Sequence, residues 1–509
     1  MRIGAREVRK DGSSVEVSAL VDGFRLWYRV PATVPVAGSA DPFLAAALLP
    51  AMLQGEELVV DPELAASPRL LANLATLQEI HHSWNPAFKI VPIRAATRPA
   101  EPLASGALSF FSGGVDSMFT FLKRRGELTH LVFIQGFDFF ANPGAVGPFS
   151  AGDIADLALL AHRLVQPRDE ASRHVRGRLS PDLLDGLAEA RDPGRIAPGL
   201  EARLAGEIEG ILNGPPLWDG RRFARVALRT ATRDLLDAGP RGTDLYRLNR
   251  LLLEDAWPRE IARRDDTAYR AAVDRNARFA AAAGKTLIPV STDHYAFGYR
   301  YNLSRNLTQG SALASVALLL GFPRAYMPSA YSYGQLFPLG QHPLTDPLYS
   351  NEAVATVHEG AEARRLDKVV RVAQDPAALA NLRVCFTDMN ENCGRCAKCL
   401  RTMIPLARLG ISDAPFPPLP PGRALRRMRI ADEIERVFFM ENLDPAFGSR
   451  DPALDRALKA CLRRYDRQKL IKSLDQVLLG GVLRRLYLRR AARSTGLTRV
   501  DTTPPPTGQ

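Results

Sequence analysis

The clearest alternation of apolar and polar positions is in residues 15–30, VEVSALVDGFRLWYRV, on both sides of Asp22-Gly23. A period of two around Asp-Gly predicts two strands joined by a tight hairpin. The pattern then turns helical. Asp41-Pro42 opens one helix through about Met52. Ser67-Pro68 opens another through about Trp84, with Ser67 as N-cap and Pro68 at the first helical position. Residues 1–100 therefore read as a small N-terminal α+β domain, and ATRPAEPLAS, 96–105, as a linker. From Ala107 the order becomes strand, loop, helix, strand, and THLVFIQGFD is the unbroken apolar run of a strand buried on both faces. The pattern breaks near Asn142. Between about 142 and 266 the chain is rich in Arg and Leu at helical spacing, which reads as a helical insertion. After it come a helix ending at Gly284, the strand KTLIPVS, the helix GSALASVALLLG and the strand RAYMPSA. Such alternation predicts an α/β domain over 101–410 built on a doubly wound parallel sheet. The Pro-rich APFPPLPPG ends it, leaving 411–509 as a basic helical C-terminal region with a disordered end.

Length agrees with several domains, since 509 residues exceed what one core holds. The apolar run SALASVALLLGF, 311–322, is too short to span a bilayer and predicts a buried helix. No membrane partner is expected. The first residues lack the apolar core of a secretory signal, so a cytoplasmic location is expected. Most of the net charge of +12 sits between Lys459 and Arg499, where twelve Lys/Arg face two Asp. Such a segment can bind nucleic acid or an acidic protein partner, or be no more than a solvated helix face.

The first candidate for chemistry is Ser112-Gly113-Gly114-Val115-Asp116-Ser117, between a predicted strand and a predicted helix. Two glycines let the backbone turn tightly and approach a ligand with no Cβ in the way. Their N–H groups, with those opening the next helix, form an anion-binding nest. Ser112 and Ser117 add hydroxyl donors. Asp116 makes sense beside phosphate only if Mg²⁺ neutralises both. The loop thus suits the phosphates of a nucleotide. It lacks the Gly-Lys-Ser/Thr ending of a Walker A loop. The bland alternative is a glycine-rich turn with no ligand.

The second candidate is VCFTDMNENCGRCAKCLRTM, which spaces Cys385, Cys393, Cys396 and Cys399 within fifteen residues. Without a secretory signal, such clustering argues for metal over disulfides. Four thiolates close a tetrahedral Zn²⁺ site with no position left for water, hence a structural one. Arg395 and Lys398 would offset its negative charge. An iron–sulfur cluster or unliganded thiols are the competing readings. Cys461 reads as an ordinary helix residue.

Ser112, Gly113, Gly114, Asp116 and Ser117 meet all five fixed positions of Ser-Gly-Gly-x-Asp-Ser, and so resemble the PP-loop of the ATP pyrophosphatase superfamily. The resemblance implies a Rossmann-like fold, cleavage of ATP to AMP and pyrophosphate, and activation of a substrate oxygen, with Asp116 and Ser117 among the catalytic groups. A PP-loop followed by a four-cysteine zinc knot is similar to the 7-cyano-7-deazaguanine synthase family. That family converts a deazapurine carboxylate to a nitrile with ammonia. SRNLTQGSALASVALLLG, 304–321, resembles its Arg-Asn segment, which implies Arg305 as a catalytic and Asn306 as a nucleotide-binding residue. The likeness covers about 107–140 and 267–410. The family's Asp-x-Ser-Gly-Tyr-Pro-Asp-Cys segment is absent; MPSAYSYGQLFPLGQHPLTDPLYS stands there instead. The chain therefore looks like a divergent relative, of a kind also found in anti-phage systems.

Asp138 joins the nucleotide-site candidates, because ligands of such folds bind at strand C-terminal ends. Tyr331, His342, Asp346, Glu362 and Arg365 are candidates for substrate contact, each also explicable as structural. The expected function is a carbon–nitrogen ligase using ATP, Mg²⁺ and Zn²⁺. It would adenylate a carboxylate or amide oxygen of a deazapurine-like substrate for attack by ammonia or an amine. The alternative is a nucleotide-binding sensor, or a subunit of a defence or nucleic-acid modification system, that binds ATP with little turnover.

Overall fold

The computed structural model describes residues 1–136, 180–182, 256–301, 303, 305–385, 390–428, 430, 433–448 and 451–479. The expected insertion over about 142–266 lies almost wholly outside these, as do Asp138 and the end of the basic tail. The chain divides into two units. One comprises Met1–Ala141, Arg264–Gly298 and Leu303–Tyr465. The other comprises Asn142–Arg263, Tyr299–Asn302 and Asp466–Gln509, and its described parts are helical apart from Tyr301 and Ser180.

In the first unit the hairpin forms as its alternation requires. β1 (Arg2–Asp11), β2 (Ser14–Val21) and β3 (Phe24–Pro31) are an antiparallel meander. Asp22 (φ 50°) and Gly23 (φ 75°) both take left-handed backbone between Val21 and Phe24, the two-residue turn that matches strand twist. α1 (Asp41–Gln54) follows, then β4 (Leu58–Val60), α2 (Pro68–Trp84) and β5 (Ile93–Arg94). Ser67 caps α2 by accepting from Leu70 N–H, with Pro68 as its first residue.

The second half of the unit starts with β6 (Ala107–Phe110), α3 (Val115–Arg124) and β7 (Leu128–Gln135). It resumes with α4 (Ala256–Ala282), whose beginning belongs to the other unit, β8 (Thr286–Thr292), α5 (His294–Arg300), α6 (Arg305–Leu320), β9 (Arg324–Pro328) and β10 (Ala355–Glu359). α7 (Arg365–Ala373), α8 (Pro376–Ala380), α9 (Ala397–Arg408), α10 (Gly422–Arg427), α11 (Glu433–Glu441) and α12 (Pro452–Leu479), whose end belongs to the other unit, complete it.

The ten strands of the described residues join one sheet in the order β10-β9-β6-β7-β8-β3-β2-β1-β4-β5. The fold is thus mixed α/β with a large, mostly parallel sheet. The five strands from β10 to β8 are mutually parallel, and their order reverses direction between β6 and β9. The first hundred residues do not close a sheet of their own. β3 pairs antiparallel with β8, Tyr28 opposite Thr292, so the meander extends the parallel sheet. A separate α+β unit was expected because alternation announces strands but is silent on a partner far away in the chain.

α6 is buried along its length from Gly310 to Leu320, as the apolar run requires, and packs against the equally buried α1. Gly310 is obligatory there: a Cβ would lie 1.9 Å from the Gly340 carbonyl oxygen. α3 packs instead against α7, and α7 against α9. That stack places the glycine loop beside the cysteine segment.

Candidate anion and metal site

All four residues of β6 are buried, and Phe111 N–H extends the ladder by donating to Val132 O at 2.8 Å. The chain then has to turn into α3 within three residues. Gly113 does this with φ 76°, and a Cβ on it would meet Asn276 Oδ1 at 3.3 Å. Gly114 is the N-cap of α3 and offers no side chain, so the amides of the first turn are left to an external acceptor. The hydroxyls are already engaged. Ser117 Oγ donates to Gly114 O at 3.0 Å and accepts from Ser112 N–H at 3.3 Å. Ser112 Oγ lies 3.3 Å from Ser117 Oγ and accepts from Gly114 N–H at 3.3 Å. These two serines hold the loop's shape, whereas the sequence reading gave them to phosphate oxygens.

Asp116 points to α7. Its Oδ2 accepts from Arg365 Nη1 at 2.6 Å, and Lys368 Nζ stands 3.5 Å from Oδ1. Arg365 is 5% exposed and Lys368 1%, while Asp116 keeps 23%. Burial raises the Asp116 carboxyl, but the charges of Arg365, Lys368 and Arg401 outweigh it and hold the group below its ordinary range. Burial lowers the Lys368 ammonium, which also donates to Ser329 O at 2.6 Å.

The loop opens onto a cleft of about 70 Å³. Facing Ser112, Gly114, Val115, Asp116 and Ser117 across it are Arg365, Arg383, Val384, Cys385, Lys398 and Arg401. Four cations thus share this wall, and Asp116 is the sole acidic residue among the described lining. Burial, and then repulsion from Arg365, lower the Arg401 guanidinium to about 10. Its charge also sits 4.6 Å over the Phe438 ring. Arg275 is lowered to about 10 by burial and by the charge of Arg383. Among the described lining residues the cations outnumber the one carboxylate, an electrostatic setting that attracts an anion.

Three of those cations belong to the cysteine segment. Arg383 precedes Cys385 by two residues and its N–H donates to Gly113 O at 2.9 Å. Lys398 and Arg401 ride on α9, whose N-cap is Cys396. The four sulfurs of Cys385, Cys393, Cys396 and Cys399 lie within 4.8 Å of one another. Cys385 and Cys396 are 3.9 Å apart, Cys393 and Cys399 4.0 Å. A tetrahedron with Zn–S bonds of about 2.3 Å has edges of about 3.8 Å, so the donor set fits the ion. Backbone N–H groups of Cys396 and Cys399 donate to the sulfurs of Cys393 and Cys396, each at 3.4 Å. Asn392 ties the two limbs of the knot, accepting from Val384 N–H at 2.9 Å and donating to Leu382 O and Pro415 O. Cys461 stands apart on α12 and donates to Met428 O, as an ordinary helix residue would.

Mg²⁺ fits less well. It needs oxygen ligands, and the one carboxylate of the described lining is ion-paired with Arg365 and Lys368. The neutralisation that Asp116 was expected to draw from a metal comes from these side chains.

Other candidates lie elsewhere. Arg305 and Asn306 open α6 and are not among the residues lining the cleft; Asn306 O accepts from Gly340 N–H at 2.9 Å. His342 packs edge-on to Trp84 at 5.0 Å, and buried Asp346 accepts from His358 Nδ1 at 2.7 Å. Tyr331 stacks on Phe438 at 5.9 Å. Glu362 and Arg365 part company: Glu362 takes Lys123 at 2.6 Å, and Arg365 takes Asp116. Sequence reasoning missed Arg383, Lys368, Arg401 and Asn392. The proximity of Arg383, Asn392 and Arg401 to cysteines was the one available signal. Comparison of the chain with protein families, characterised proteins and solved structures gives no match.

Proposed function

We propose that the chain is an ATP-dependent carbon–nitrogen ligase of the PP-loop type, with its nucleotide phosphates held where the glycine loop meets the cationic wall. One observation carries this reading. An uncapped helix N-terminus follows a buried parallel strand and faces four cations across one cleft. The reversal of strand order between β6 and β9 adds to it. Doubly wound sheets of Rossmann type bind ligands at such a point, outside the strand C-terminal ends.

In this reading an oxygen of a deazapurine-like carboxylate or amide attacks the α-phosphorus as the bond to the β-phosphate breaks. Pyrophosphate leaves with the bonding electron pair, and ammonia or an amine then displaces AMP from the activated carbon. The protein's part is electrostatic. Amides of α3 and the guanidinium groups of Arg365, Arg383 and Arg401 stabilise charge gathering on the departing oxygens. Gly113 and Gly114 admit the phosphates close to the backbone. The four thiolates would hold Zn²⁺ closed to substrate, giving it a structural part.

The test is release of AMP and pyrophosphate from ATP, screened with 7-carboxy-7-deazaguanine and related carboxylates plus ammonia. Release that depends on both co-substrates supports the ligase. ATP binding with no release under any pairing supports the sensor alternative, and no ATP binding at all removes both.

A further inference from the structure

We infer that the cleft takes its polyphosphate without a divalent cation, with Arg365, Arg383, Lys398 and Arg401 in the metal's place. This rests on reading the cleft as a phosphate site. A triphosphate near neutral pH carries roughly four negative charges, and nucleotide sites commonly offset part of that with Mg²⁺. Here the offset is built in. The four lining cations and adjacent Lys368 face a single carboxylate of the described lining, that of Asp116.

The geometry opposes an ion as well as replacing it. Asp116 is the one acidic residue of the described lining, and its Oδ2 is bonded to Arg365 at 2.6 Å. Arg401 feels one further acid, Glu435, which is not among the lining residues. Asp116 Oδ1 accepts no hydrogen bond but lies 3.5 Å from Lys368 Nζ, so a divalent ion taken up there would sit among like charges. The arginines, meanwhile, are not fully satisfied. Arg365 and Arg401 each keep a buried Nε without a hydrogen-bond partner. An Nε–H beside its Nη–H is the fork that grips two phosphate oxygens at once. Guanidinium donors left open beside an uncapped helix N-terminus suit an anion with several oxygens.

The experiment is calorimetric titration of the full-length protein, metal content verified, with inorganic pyrophosphate and with ATP. One buffer is freed of divalent ions by a chelating resin before the protein is added; the other contains millimolar Mg²⁺. The inference expects affinity without Mg²⁺ at least equal to that with it. It expects a loss of tenfold or more in Arg365→Gln and Arg401→Gln, and unchanged or tighter pyrophosphate binding in Asp116→Asn. Binding that needs Mg²⁺ by tenfold or more, or that collapses in Asp116→Asn while the variant stays folded, overturns the inference and leaves the phosphate site standing. Absence of binding by both ligands in both buffers overturns the site itself.

Discussion

Asp116→Ala separates a counter-ion from a metal ligand. The carboxylate it removes is the one in contact with Arg365, 5% exposed, and Lys368, 1% exposed. Both cations would stay buried. Lys368 keeps its bond to Ser329 O, but Arg365 loses its short charged partner. Removing one member of a buried pair costs about 3–5 kcal/mol, because the other is left uncompensated. Asp116 retains 23% of its exposure, so solvent screens part of the pair and the low end, about 3 kcal/mol, applies. For a unit of this size that lowers the melting temperature by roughly 4 °C. Thermal unfolding followed by circular dichroism measures it, with metal content as a control for the knot. Inorganic pyrophosphate should recover the loss, about 2.7 kcal/mol at a hundredfold excess over its dissociation constant, by supplying the missing negative charge. A variant as stable as the wild type that no longer binds pyrophosphate would refute the argument, since its carboxylate would then have served the ligand and not the arginine.

Other consequences follow from the same structure. Burial holds the imidazole of His81 down to about 4 and that of His294 to about 3, so the unfolded chain takes up these protons first as pH falls below about 6.5. Their stabilisation is whole above that pH and fades toward the folded values. Together they cost about 5 kcal/mol by pH 4.5, and a His294→Leu protein should lose about half of that pH dependence in urea titrations; identical slopes would show that the ring is not buried neutral. Gly113→Ala forces a Cβ into left-handed backbone 3.3 Å from Asn276 Oδ1, costing about 1–2 kcal/mol and weakening pyrophosphate binding in calorimetry. Stripping metal from the knot, or Cys396→Ser, should abolish pyrophosphate binding together with metal content, and restored zinc should bring back both in the stripped protein; full binding by the metal-free protein would uncouple the two sites.

The legible parts of this fold are those set by neighbours in the chain. Asp22-Gly23 specifies its turn through two residues that tolerate positive φ, and Ser67-Pro68 its cap through one hydroxyl and one fixed φ. Gly113-Gly114 and the four cysteines announce a turn and a knot in the same local way. The β3–β8 joint was illegible, since Tyr28 and Thr292 carry no mark of each other. The cationic wall was no more legible as a unit: Arg365, Arg383 and Arg401 are three among 67 Lys and Arg, and only the fold brings them to one cleft. His342 and Asp346 failed in the opposite sense. Polar residues in a Pro-rich stretch looked like a pocket lining, yet Asp346 is wholly buried under His358 and secures the segment.

A closed zinc site and a phosphate loop read as separate devices in sequence, one for stability and one for binding. In the fold they share their backbone. The segment that reaches Cys385 first holds Gly113 in place through Arg383 N–H, and the helix capped by Cys396 carries Lys398 and Arg401 to the cleft. Asn392 braces both limbs from within. Coordination that excludes substrate from the metal does not make the knot remote from the site, because three of the four lining cations would lose their position if it opened. The four-cysteine spacing is accordingly a constraint on where charge stands, and so on which anion the glycine loop can hold.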